Sequence, residues 1–217
     1  MSLKGFSNVM PTKFQCELIS WDCVTSLSYK LATQIREDGF HPDIIIAIGR
    51  GGYVPARLLA DYLDIMNLNA IKVEHYIAGA HRQAIATVKY PLCTDVSGLQ
   101  VLVVDDVSDS GDTFAVTMQH IMEKSAPREI RTSVLHHKTV SHFTPDFYAA
   151  KIIKWRWLIY PWAQVEDISG FVAEMNPRPD NAQDIASMLD ESYGIHVPNE
   201  LLEYVINNQQ RVEAYGS

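Results

Sequence analysis

The sequence predicts an α/β fold, a mostly parallel central sheet with helices on both faces. Three observations carry that expectation. "DIIIAIG" at 43–49 and "LQVLVVDD" at 99–106 are unbroken apolar runs of the kind found in strands covered on both faces. Each breaks into a loop of small residues and then resumes with helical spacing, as βαβ units do. The loops after both runs fall where open α/β sheets collect ligands, outside the carboxyl ends of strands.

Taken in order, "DCVTSLSYKLATQIRED" at 22–38 places Val24, Leu27, Leu31 and Ile35 on one helical face, with Asp22 as N-cap and Gly39 just past the end. The first strand, 43–49, is broken by "RGGY", and "VPARLLADYLD" reads as the next helix. "AIKVEHY" predicts a second strand, and residues 77–90 a polar loop without periodicity. The strand ending in Asp105 and Asp106 is followed by a loop and a helix over 113–124. "EIRTSVLHH" predicts a fourth strand and "KIIKWRWLI" a fifth. After the linker-like "NPRPDN", two helices are expected, separated near Gly194 and Pro198. Their apolar positions Ile185, Leu189, Leu201, Leu202, Val205 and Ile206 form a packing face toward the main domain or a second subunit. The expected organisation is an N-terminal segment over 1–21, a main domain over 22–176 and a helical C-terminal extension over 177–217.

Composition excludes several classes. A net charge of −8 argues against non-specific nucleic-acid binding, although a local basic loop can still hold a phosphorylated metabolite. Cys16, Cys23 and Cys93 form no CxxC pair, which argues against a disulfide framework and a thiolate zinc site and for a reducing cytosol. No run reaches the roughly 18 apolar residues that span a bilayer, and no basic-then-apolar leader opens the chain. A cytoplasmic protein with no membrane partner is the expectation. His136, His137 and His142 invite a metal reading, but adjacent strand residues face opposite sides, so a structural role is favoured.

The chemistry concentrates in "DDVSDSGDT" at 105–113. Two carboxylates at the end of a buried strand are costly unless they face a crevice, a cation or hydrogen-bond donors. They suit the two hydroxyls of a ribose or the waters around magnesium. The following "SDSGDT" offers hydroxyls, backbone N–H groups and a helix start, an anion cradle. Diol followed by phosphate describes a ribose 5-phosphate. Neither GxxxxGK[ST] nor GxGxxG is present in this stretch.

The thirteen residues "VLVVDDVSDSGDT" resemble the phosphoribosyl-pyrophosphate signature of the type I phosphoribosyltransferases. "AIGRGGYVPARLLADYL" is similar to their pyrophosphate loop and following helix, and "HHKTVSHFTPDFYA" to the stretch carrying the purine-contacting lysine. "WLIYPW" is similar to the tryptophan segment of bacterial xanthine-guanine phosphoribosyltransferases. The resemblance spans residues 22–170 in the family's order.

It implies transfer of a phosphoribosyl group from phosphoribosyl pyrophosphate to a 6-oxopurine (xanthine, guanine or hypoxanthine), with magnesium as cofactor. Asp105 and Asp106 would bind the ribose hydroxyls and, through water, the metal. Asp109 would act as general base beside purine N7. Ser110, Gly111, Asp112 and Thr113 would surround the 5-phosphate. Gly49, Arg50 and Gly51 would bind pyrophosphate together with His75 and Tyr76, which open a loop over 76–90 that closes on the reacting centre. A cis peptide between Gly49 and Arg50 is implied as well. Lys138 would donate to the purine 6-oxo group, Trp157 would stack on the ring, and the Leu158 carbonyl would accept from the base; this disfavours adenine.

The chain departs from the pattern at three points. Asp112 stands where glycine or lysine is common, His75 replaces serine, and Ala163 replaces an acid that Glu166 or Asp167 could supply instead. The assembly expected from the family is a homodimer or homotetramer. The alternative reading is a non-catalytic regulator that keeps a phosphoribosyl or nucleotide site; a DNA contact through the C-terminal helices is disfavoured by their acidity. Trp155, Trp157 and Trp162 also have a plain reading as core or interface aromatics.

Overall fold

Alternate residues of the two long apolar runs point to opposite faces of one sheet, and both sets are buried. The structure, a computed structural model, describes residues 14–76, 85–177, 179 and 181–215. Ile44 and Ile46 of β2 (Ile44–Gly49) pair with Val101 and Val103 of β5 (Gln100–Ser108), and these side chains pack with Phe114 and Ile121 of α3 (Asp112–Lys124). Ile45 and Leu102, on the intervening positions, are equally inaccessible to water. Covering both faces explains why neither run alternates with polar residues.

The six-stranded sheet runs β4-β3-β2-β5-β6-β7, with β3 (Leu68–Tyr76), β6 (Glu129–Lys138) and β7 (Phe147–Ile152) parallel to the central pair. From β2 the chain moves outward to β3 on one side, and from β5 outward to β6 on the other. The order therefore reverses between β2 and β5, the switch point at which such sheets bind ligands. α2 (Tyr53–Leu63) packs on β2 and β5. α1 (Trp21–Asp38) starts one residue before the expected N-cap, which leaves Asp22 in the first turn, where a carboxylate suits the helix dipole. Gly39 ends the helix at φ 80°, as expected of a C-terminal glycine.

Two sequence expectations need correction. Residues 85–90, expected within a loop that closes on the site, form β4 (Ile85–Tyr90), antiparallel to β3. Its alternation is hidden because it is an edge strand with exposed ends and a single buried residue, Ala86. The rest of that loop, 77–84, lies outside the described residues. The expected fifth strand over 151–159 is two strands in two sheets: β7 ends at Ile152, and β8 (Trp157–Ile159) pairs in parallel with β1 (Cys16–Leu18).

The chain divides into two compact units, residues 22–155 and residues 1–21 with 156–217. This boundary differs from the expected one at 176–177. The second unit has its own core, in which Ile159 of β8, Phe171 of α4 (Gln164–Glu174), Leu189 of α5 (Ala182–Tyr193) and Leu202 of α6 (Asn199–Tyr215) meet. Phe14 packs edge-on against Phe171 and Tyr193, and Trp162 stacks on Tyr160. The C-terminal apolar positions thus close an internal core. α5 and α6 lie where the periodicity placed them, divided by Gly194 at φ 68°. Among the described residues no helix is long and apolar enough to cross a membrane.

Candidate active site

Glycines bring the loop after β2 against the end of β5. A methyl group on Gly51 would lie 2.5 Å from both carboxylate oxygens of Asp106, and one on Gly52 would collide with the backbone carbonyls of Val104 and Ile48. Only a residue without a side chain lets the two strand ends approach this closely. The Gly49–Arg50 peptide is cis, as the resemblance implied. Arg50 is exposed on this loop.

Asp105, 8% exposed, accepts a hydrogen bond from the Asp106 N–H at 2.9 Å. Burial, reinforced by the charge of Asp106, pushes its carboxyl well above the usual carboxylate range, against the smaller opposing effect of the Asp106 and Gly52 N–H groups. A pair held this way favours whatever supplies hydroxyl donors or positive charge.

One turn further, Asp109 and Lys138 meet at 2.6 Å, from Asp109 Oδ2 to Lys138 Nζ. Lys138 sits at the end of β6 with its side chain 2% exposed, whereas Asp109 is 41% exposed. A buried ammonium requires such a partner. Trp155 donates its indole N–H to the other oxygen, Oδ1, at 3.2 Å, and the Lys138 ammonium lies 4.7 Å from the centre of its ring.

The 5-phosphate candidates lead into α3. Gly111, at φ 102°, occupies the N-cap position and turns the chain, and Phe143 fills the space a side chain there would need. Asp112 accepts from the Ser110 hydroxyl at 2.8 Å and faces His142 Nε2 at 3.5 Å. The departure from glycine or lysine therefore puts a carboxylate onto the Ser110 side chain. The loop after β6 supports this turn: the His142 N–H donates to the Ser110 carbonyl at 3.0 Å, and the Ser108 and Ser141 hydroxyls lie 2.8 Å apart. Phe114 and Phe143 stack at 4.9 Å with their planes 4° apart. His75 Nε2 lies 3.0 Å from the Thr113 hydroxyl, so the residue replacing serine ties the end of β3 to the start of α3.

The first unit thus brings together Gly51 and Gly52 with Asp105 and Asp106, Asp109 with Lys138, and Ser110 through Thr113 with His75. Tyr76 ends β3, paired in register with Ile85. Trp157 and Leu158 belong to the second unit, where they pair with Cys16 and Glu17; Leu158 is buried and Trp157 packs partly buried against that unit's core. Sequence reading gave no site role to Trp155 or Gly52, and weighed His142 only in a metal reading that it set aside. Only Gly52 carried a signal, as the last glycine of a GRGG loop beside a buried strand.

Residues 20–164 match the phosphoribosyl transferase domain. The chain is 26% identical over 193 residues to the hypoxanthine-guanine phosphoribosyltransferase of Saccharomyces cerevisiae, covering 69% of this chain and 86% of that protein. It is 28% identical over 154 residues to the xanthine-guanine phosphoribosyltransferase of a Ruegeria species, covering 66% and 83%. Among solved structures, the purine phosphoribosyltransferase from Pyrococcus horikoshii Ot3 matches with a TM-score of 0.60 at 32% identity, over 68% of this chain and 93% of that one. The match runs from α1 to the start of α4 and contains both strand ends that meet at the site; the chain belongs to the phosphoribosyl transferase domain family.

Proposed function

We propose that this protein is a purine phosphoribosyltransferase of salvage, joining a 6-oxopurine to the ribose of phosphoribosyl pyrophosphate. The bond from ribose C1 to the pyrophosphate oxygen breaks, a bond from C1 to a ring nitrogen of the base forms, the base gives up its ring proton, and pyrophosphate leaves. The observation that carries this reading is the sequence of groups along one strand end. Asp105, its carboxyl raised by burial, and Asp106, closely approached by Gly51, are followed within one turn by Asp109 against Lys138 and then by the turn into α3.

Asp105 and Asp106 hold the ribose hydroxyls, whose donors relieve the burial of the acids. Ser110, Gly111, Thr113 and the first N–H groups of α3 hold the 5-phosphate. Asp112 belongs to that turn, with its carboxylate turned to Ser110 and His142 rather than replacing a phosphate donor. Gly49, Arg50 and Gly51, with His75 and Tyr76, receive pyrophosphate, Arg50 supplying the charge. Asp109 accepts the base proton and Lys138 donates to the 6-oxo group, a pairing that a 6-amino purine cannot satisfy. The resemblance assigns base stacking to Trp157 and a carbonyl contact to Leu158.

Magnesium fits this donor set. Among the described residues no group of three or more histidines, cysteines and acids is gathered to hold a metal, and magnesium typically needs only one or two carboxylates when it keeps waters and shares phosphates. Asp105 and Asp106 would hold it through water, and when bound it would neutralise charge on the departing pyrophosphate. A cytoplasmic setting and a homodimer or homotetramer complete the proposal.

The test is pyrophosphate release with phosphoribosyl pyrophosphate and magnesium, with guanine, xanthine, hypoxanthine, adenine and uracil offered separately. Turnover confined to 6-oxopurines is expected. Binding of phosphoribosyl pyrophosphate without turnover on any base would replace the enzyme with a regulator of the same ligand.

A further inference from the structure

Asp109 is held at both oxygens. Lys138 takes Oδ2 and the Trp155 indole N–H takes Oδ1, while the ammonium also lies over the indole ring. Each pair in this triangle is in contact. The strand register explains how residue 155 arrives there: Lys138 pairs with Ile152, the Thr139 N–H donates to the Ile152 carbonyl at 3.0 Å, and the chain carries Trp155 forward from that pairing.

The proposed reaction makes a demand on this triangle. The Lys138 ammonium carries three N–H donors, so it can turn one to the base while divided between that base and Asp109 Oδ2, which loosens its hold on the carboxylate just as Asp109 has to receive the base. A carboxylate 41% exposed and loosened on one oxygen would rotate unless another donor kept it in place. We infer that Trp155 is a positioning residue, whose indole N–H keeps Asp109 aimed at the base while its ring keeps a place for the Lys138 ammonium. The inference rests on the transferase reading for its purpose, but the clamp on Asp109 is testable without turnover.

Trp155→Phe retains an aromatic face and removes the N–H. Its kcat for nucleotide formation should fall by about 10-fold or more, with the KM for phosphoribosyl pyrophosphate within about twofold of the unaltered protein. The double variant Trp155→Phe/Asp109→Asn should be no slower than Asp109→Asn alone, because both changes remove one coupled arrangement. An unchanged kcat in Trp155→Phe, or losses that simply add, would overturn the assignment, since a merely structural tryptophan gives additive effects. In the ligand-free protein, the 15N-indole resonance assigned by its loss in Trp155→Phe should move in Asp109→Asn; an unmoved resonance also overturns it. A shifted resonance in a protein that makes no nucleotide from any base would remove the transferase reading while leaving the clamp established.

Discussion

Asp105 and Asp109 stand four residues apart, one within β5, three residues before its end, and one in the turn beyond it. Asp105 has lost nearly all contact with water, and burial and its acidic neighbour raise its carboxyl well above the usual range. Asp109 remains 41% exposed yet is bracketed by an ammonium and an indole N–H. The first acid is left costly by its own fold, and under the proposed function the sugar hydroxyls would complete it. The second is finished before any ligand arrives. Under the proposed function, a site that must both grip a sugar and time a proton transfer would be served by this division, with binding energy drawn from the unfinished group and geometry from the finished one.

The comparison breaks most sharply at Asp109. Asp109→Asn should lower turnover by about 10²–10⁴-fold, the usual reach of a general base, while leaving the Kd for phosphoribosyl pyrophosphate within about threefold. A parallel fall in affinity, read by titration calorimetry, would assign Asp109 to sugar binding instead. The next effect falls on the other acid. Gly52→Ala drives a methyl group into the carbonyls of Val104 and Ile48 and should weaken phosphoribosyl-pyrophosphate binding by about 100-fold, with a lower Tm. Unchanged affinity would show that the close approach of the two strand ends is dispensable.

Asp105→Asn sharpens the contrast through stability. An acid whose folded pKa lies above its unfolded value of 3.8 strengthens the fold at low pH and weakens it as pH rises through the folded pKa. Asp105→Asn should therefore raise Tm at pH 7–8, by a few degrees for a chain of this size, with the gain fading below about pH 4. Activity should fall in the same variant. A lower Tm at neutral pH would mean that the ionised carboxylate is satisfied without ligand.

The smallest effect concerns His137 on β6, outside both acid sites. Burial and the Lys151 charge hold its pKa below 6.5, so the unfolded chain takes up its proton first and stability is lost as pH falls through that range. His137→Asn should lose less Tm than the unaltered protein between pH 7 and pH 5, by about a degree or two.

Much of this was legible in the sequence, for a physical reason. β2 and β5 are buried on both faces, so their composition announces them, and the acids at the end of β5 stand out because nothing apolar explains them. β4 was not legible, since its exposed edge asks for no alternation. β1 and β8, three residues each, are too short for any period to register, and their pairing joins Cys16 to Trp157 across most of the chain. Trp155 was hidden differently: a tryptophan in "KWRW" has no local feature that distinguishes a packing ring from a donor to a carboxylate 46 residues away.

Residues 22–155 form one uninterrupted stretch, whereas the other unit is assembled from the two remote parts of the chain. On the ribosome these two architectures have different histories. The continuous unit has all its strands as soon as β7 has emerged, and it can complete its sheet while synthesis proceeds. β1 leaves the exit tunnel before any of them and then waits for β8 and for the α4–α6 core to be translated. The earliest of the described strands to be made is thus among the last to find its neighbour.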